Sequence, residues 1–167
     1  GYLFELERRG YLQAGPYVPE VVLDHPDAVR QLHREFVHAG SDVVEAFTYY
    51  GHREKLKVIG KEDALEPLNR QALAIAREVA DESGALLAGN LSNTNIYEAD
   101  DAASHTLVRQ AFEEQVGWAL DANADFIIAE TISWLGEAML ALEIIKASGK
   151  PAVITLAMHQ EGVMREG

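Results

Sequence analysis

Glu130 stands at the end of an almost unbroken apolar run, Phe126-Ile127-Ile128-Ala129, and is the residue of this chain best placed to do chemistry. A carboxylate is costly to bury unless it is paired or used. At the C-terminal end of a core strand it can bind a substrate amine or act as a base, because α/β enzymes gather their ligand-binding groups there. The bland alternative is a structural ion pair or a helix-capping contact. Thr131 follows it directly, and Trp134, a little further on, reads as core packing. Asn90, Ser92 and Asn93 close a second apolar run. They can hydrogen-bond a ligand or cap the next helix. Tyr49 and Tyr50 leave a third run. Their faces attract quaternary ammonium groups and their hydroxyls can fix a carboxylate, although loop packing needs no ligand at all. Tyr17, within Gly15-Pro16-Tyr17-Val18-Pro19, would add a further aromatic wall. Glu45 lies inside a strand pattern and is expected to face an ion-pair partner.

Other chemistries find no support. The six histidines have no metal-binding spacing; only His52 and His159 fall near strand exits. With no cysteine, thiolate metal sites and disulfides are excluded within these residues. No Ser-His-Asp set can be argued, no lysine sits where Schiff-base chemistry would need it, and there is no glycine-rich phosphate loop. No residue of the chain is assigned a metal or a covalent catalytic role.

The elements that position these groups alternate. Four apolar runs read as buried strands: Asp42–Thr48, Ala85–Ser92, Asp125–Thr131 and Pro151–Leu156. Between them lie stripes at helical spacing: Val29, Leu32 and Phe36; Leu65, Leu68, Ala72, Ile75 and Val79; Val108, Phe112, Val116 and Leu120; Leu135, Ala138, Leu142 and Ile145. Asp24 is a candidate N-cap ahead of Pro26, and Gly40, Gly84, Asn123 and Gly149 mark helix ends. A short helix over Phe4–Arg9 precedes an irregular segment, and long polar loops are expected over Tyr49–Asp63 and Asn93–Ala103. Alternation of helix and strand implies a parallel sheet, either doubly wound or part of a (β/α)8 barrel. A complete barrel takes about 250 residues, so 167 residues with four strands would make roughly half of one.

The formal net charge of −13 argues against nucleic acid or an anionic membrane as partner, since both need basic patches. No apolar run approaches spanning length and no signal peptide is visible, which leaves a cytoplasmic enzyme as the default. Both ends, Gly1 and Gly167, read as cut rather than finished.

Taken in order, several segments resemble one family. They are Phe4-Glu5-Leu6-Glu7-Arg8-Arg9-Gly10-Tyr11, Ala14-Gly15-Pro16, Pro19-Glu20, His25-Pro26 and Arg30-Gln31-Leu32-His33-Arg34-Glu35-Phe36. Ala39-Gly40-Ser41, Phe47-Thr48, Val79-Ala80-Asp81-Glu82, Ile128-Ala129-Glu130 and Ala147-Ser148-Gly149-Lys150-Pro151 continue it. Together they are similar to betaine–homocysteine S-methyltransferase and its bacterial relatives over essentially the whole chain. The resemblance implies a homocysteine-binding (β/α)8 TIM barrel, of which residues 1–167 form about the first half, truncated at both ends. It implies zinc-dependent methyl transfer from betaine, or a similar methylammonium donor, to the thiol of homocysteine, giving methionine. Zn²⁺ would bind the sulfur as a thiolate, and its three cysteine ligands would lie beyond Gly167.

By the same resemblance, Glu130 matches the carboxylate that binds the homocysteine amino group, and Tyr50 the tyrosine near the methyl donor. Tyr17 stands where the animal enzymes have Trp, and Tyr49 where they have Phe. Val18 and Ala46 each replace a Thr, and Thr131 replaces a Tyr. These exchanges alter the donor pocket. The alternatives are therefore a sulfonium donor, or a non-catalytic half-barrel that binds without zinc. The expected partners are homocysteine and a small methyl donor, with a homo-oligomer compatible with the resemblance.

Overall fold

The computed structural model describes residues 1–12, 19–158 and 162–165. Its core is a four-stranded parallel sheet in the order β1-β2-β3-β4, formed by Val43–Glu45, Leu86–Ser92, Phe126–Ile132 and Ala152–Leu156. Parallel neighbours in chain order need a crossover each, and helices supply them. α5 (Leu65–Ser83) joins β1 to β2, α6 (Ala102–Asp121) joins β2 to β3, and α7 (Leu135–Ala147) joins β3 to β4. Ahead of β1 come α1 (Tyr2–Arg8), α2 (Val21–Asp24) and α3 (Pro26–His38).

The helices cover one face of the sheet. Val44, Leu87, Leu91, Ile127 and Ala129 point into that layer and are buried against apolar residues of α5, α6 and α7. The strands alternate with period two, so Val43, Glu45, Asn90, Phe126, Ile128 and Glu130 share the opposite face. The helix stripes expected from the sequence bury on α5 and α6, whereas on α7 Leu135 is exposed and Ala138, Ala141, Ile144 and Ile145 form the buried face. Leu65, Leu68, Ala72, Ile75 and Val79 lie on α5, and Val108, Phe112 and Val116 on α6. Gly89 lets α6 approach β2 closely, because a Cβ there would sit 2.8 Å from that of Ala119.

Three local expectations change. The segment Tyr49–Asp63 is not one loop. It contains α4 (Arg53–Val58) and a 3₁₀ turn (Glu62–Ala64), whose single buried apolar residue, Leu56, is too little pattern to read as a helix. His25, not Asp24, occupies the N-cap of α3, with no side-chain bond, because Asp24 is the last residue of α2. Glu45 has no ion-pair partner among the described residues. Its face of the sheet is lined by apolar groups and another carboxylate, with no Lys, Arg or His side chain among the lining residues.

α1 lies over that second face. The Tyr2 ring packs edge-on against His33 at 4.7 Å, Phe36 at 5.1 Å and Phe47 at 5.9 Å, pinning the helix to α3 and to the segment after β1. Further along the sheet the same face is open: Leu86 is 48% exposed and Val153 42%.

Candidate functional site

Between α1 and the exits of β1, β2 and β3 lies a cavity of about 600 Å³. Its walls are mainly apolar: Val43, Phe36, Phe47, Phe126 and Ile128. Its polar groups are Glu45, Asn90, Glu130, Tyr49 and Thr131. An apolar pocket with a few convergent polar groups is the usual form of a small-molecule site.

Strand register builds the polar cluster. Asn90 pairs with Ile128, and Ser92 with Glu130, so the Asn90 and Glu130 side chains project from one face a single step apart. Asn90 Nδ2 donates to Glu45 Oε1 at 2.7 Å and to Glu130 Oε1 at 2.8 Å. Only the amide NH₂ can donate, so the two carboxylates also fix which way the amide faces. The two acceptor oxygens are therefore within about 5.5 Å of each other. Two full charges at that separation repel by about 3 kcal/mol at an effective dielectric near 20. Burial, then the Glu130 charge, pushes the Glu45 carboxyl up to about 7, against the pull of the Asn90 bond. Burial raises Glu130 as well, opposed by the bond from Asn90. Tyr2 is pushed up to about 12 by burial and by the Glu45 charge.

The rim is a hydrogen-bonded loop cluster. The Tyr49 hydroxyl and Thr131 Oγ1 are 2.8 Å apart, and Asn93 Nδ2 donates to the Thr131 carbonyl at 3.1 Å. The Thr131 amide donates to Thr155 Oγ1 at 3.1 Å. Thr131 has φ 56° and Tyr50 φ 59°, both left-handed and sparsely populated by such side chains. At Thr131 the strain accompanies a register shift between Ala129 and Ile132, a bulge that turns the chain just after Glu130.

The structure thus brings Glu130, Asn90, Tyr49 and Thr131 into one cavity. Tyr50 stands behind Tyr49, their ring centroids 4.5 Å apart, and is not part of the cavity wall. Lys55 Nζ sits 4.3 Å above the Tyr50 ring. Tyr17 and His159 lie outside the described residues. His52 caps α4, its Nδ1 accepting from the Lys55 amide at 3.4 Å, so its role at the strand exit is structural. Ser92 Oγ accepts from the Tyr50 amide at 3.0 Å, and Trp134 packs against the core as the residue ahead of α7. Glu45 is the site residue that reading the sequence placed wrongly. Its signal was there, since period-two alternation sets it on the face that also carries Asn90 and Glu130. Among the described residues no group of three or more His, Cys, Asp or Glu side chains could hold a metal ion.

A sequence model described as homocysteine S-methyltransferase matches residues 1–167. The chain belongs to that family. It is 43% identical over 166 residues to betaine–homocysteine S-methyltransferase 1 of Sus scrofa, covering 97% of this chain and 59% of the pig protein. The match to the Bos taurus protein of the same name is also 43%, covering 97% of this chain and 40% of that one. The chain therefore spans about half the length of these curated relatives. Among solved structures, the homocysteine methyltransferase MmuM from Escherichia coli, in its metallated form, superposes with a TM-score of 0.84 at 20% identity. That likeness covers 100% of this chain and 64% of MmuM. It establishes the fold: four β/α units making half of a (β/α)8 barrel.

Proposed function

We propose that the protein containing these residues transfers a methyl group from betaine, or a similar methylammonium donor, to the thiol of homocysteine, giving methionine. Residues 1–167 form the homocysteine-binding part of its barrel. The observation that carries this reading is the position of Glu130, a half-buried carboxylate at a strand exit, opening into an apolar cavity beside Tyr49 in a chain of this family. In this reading Glu130 takes the ammonium of homocysteine. The apolar strand face accommodates its methylene chain, and Tyr49 at the rim, backed by Tyr50, takes the cationic methyl donor on its face. Holding both partners in line lowers the entropic part of the barrier.

Zinc is the metal this reading expects, and among the described residues no cluster of His, Cys, Asp or Glu supplies its ligands. A sulfonium donor is the second reading, since Thr131 at the rim stands where the resemblance has Tyr. Thr131 and Tyr49 form a hydrogen-bonded pair there, and an aromatic face accepts a sulfonium as readily as an ammonium. In this reading the protein acts in the cytoplasm on free homocysteine, and its formal net charge of −13 supports neither nucleic acid nor an anionic membrane as partner. No helix among the described residues is long and apolar enough to cross a membrane. The test is methionine formation by the full-length protein from homocysteine and a panel of methylammonium and sulfonium donors. Formation with one donor class selects between the readings, and formation with none rejects both.

A further inference from the structure

We propose that Glu45 is a second carboxylate for the ammonium group of the amino-acid substrate, and that Glu45 and Glu130 exchange one shared proton for that cation when it binds. The proposal deepens the functional reading above and rests on it. Its basis is geometric. One amide, Asn90 Nδ2, is bonded to both carboxylates, at 2.7 and 2.8 Å, so the pair acts as a unit. Both carboxylates line the same cavity, and neither is ion-paired among the described residues.

The groups facing the pair are few: Tyr2 on α1, Asn90 on β2 and Tyr49 at the rim. Tyr2 is neutral at physiological pH, because burial and Glu45 hold its hydroxyl up to about 12. Two carboxylates this close, bridged by one amide, titrate as a coupled pair, so the second ionisation is opposed and the empty site retains part of a proton near neutrality. An alkylammonium has three donors and one positive charge. Its arrival between the carboxylates favours ionisation of both, and the proton leaves to solvent. The exchange balances: one cation enters, one proton departs, and no covalent bond changes. Glu45 is thus a binding and positioning residue, and it selects ligands bearing a free amine over those that lack one.

The test uses calorimetric titration of the full-length protein with L-methionine, an amino acid without a thiol, so that no thiol proton contributes. Titrations in buffers of different ionisation enthalpy give the protons released. The expected result is release of a substantial fraction of one proton near pH 7. In Glu45→Gln, whose amide oxygen can still accept from Asn90, that release should disappear. Affinity should then fall about tenfold, the scale of one charge-assisted hydrogen bond. The deamino analogue 4-mercaptobutyrate should bind wild type and Glu45→Gln alike. Binding by wild type without proton release overturns the proposal, and so does equal methionine affinity in the two proteins. Because the wild-type measurement stands alone, a variant that fails to fold leaves the proposal decidable. If wild type binds neither methionine nor homocysteine, the functional reading itself fails.

Discussion

The carboxylates of Glu45 and Glu130 come from strands that are not neighbours, yet they share the two protons of one amide, Asn90 Nδ2. β2 lies between β1 and β3, so its Asn90 is the residue that can reach both. This arrangement concentrates negative charge at the mouth of an apolar cavity, and the consequences can be measured.

Replacing Glu130 by Gln removes the charge proposed to hold the homocysteine ammonium while keeping its shape. Loss of a charge-assisted hydrogen bond is worth about 1.5–3 kcal/mol, so homocysteine affinity should fall about 10–100-fold. Affinity for the methyl donor should change little. Direct titration with each ligand separates the two.

Glu45 should destabilise the fold at high pH. Its carboxyl is raised from 4.5 to about 7, so the native state keeps a proton that the unfolded chain releases across that window. Stability therefore falls as pH rises from about 4.5 to about 7, and the penalty is complete above it. Glu45→Gln abolishes the effect. Its unfolding free energy should exceed that of wild type by about 1–3 kcal/mol at pH 8 and match it near pH 4, as urea denaturation at the two pH values would show. A site residue that weakens the fold but serves binding is the usual stability–function trade-off.

Lys55 places its ammonium 4.3 Å from the centroid of the Tyr50 ring, on a residue that stands outside the cavity wall. Lys55→Met removes that contact without entering the site. A cation–π contact at an exposed site is worth about 0.5–1 kcal/mol, so the variant should lose about that much stability while the donor's KM and homocysteine's KM stay unchanged. Steady-state kinetics on the full-length protein checks both values.

Gly136 tests packing against propensity. Alanine ordinarily stabilises a helix by up to about 1 kcal/mol relative to glycine. Here a Cβ would lie 1.8 Å from the Tyr97 hydroxyl, so the side chain or the helix must move. Gly136→Ala should cost about 1–3 kcal/mol, read as a lower urea midpoint with an unchanged slope.

Much of this architecture can be read directly from the residues. The strands are legible because apolar runs stop at polar residues, although β1 ends at Glu45, short of Thr48, and β3 runs on to Ile132, and helix ends are legible because Gly84 and Asn123 adopt the left-handed conformation that closes a helix. Glu130 is legible for the same reason, as a charge that ends an apolar run. Glu45 misled because a carboxylate within a strand looks like half of an ion pair. Which face it shares, and with whom, depends on the register between β1 and β2, which a single strand does not encode. The left-handed turn at Thr131 was equally hidden, since a β-branched residue gives no local hint of positive φ. It is imposed by the bulge against β4, by the bond from Asn93 and by the bond that the Thr131 amide donates to Thr155. α4 escaped because its six residues carry one buried apolar side chain.

The measurement that bears most directly on the central claim is methionine formation by the full-length protein from homocysteine with betaine and with a sulfonium donor, for wild type beside Glu130→Ala. The account expects wild type to form methionine with at least one donor. Glu130→Ala should show a homocysteine KM raised by about tenfold or more in a correctly folded protein. No methionine from any donor, or a folded Glu130→Ala protein with unaltered homocysteine KM, would contradict it.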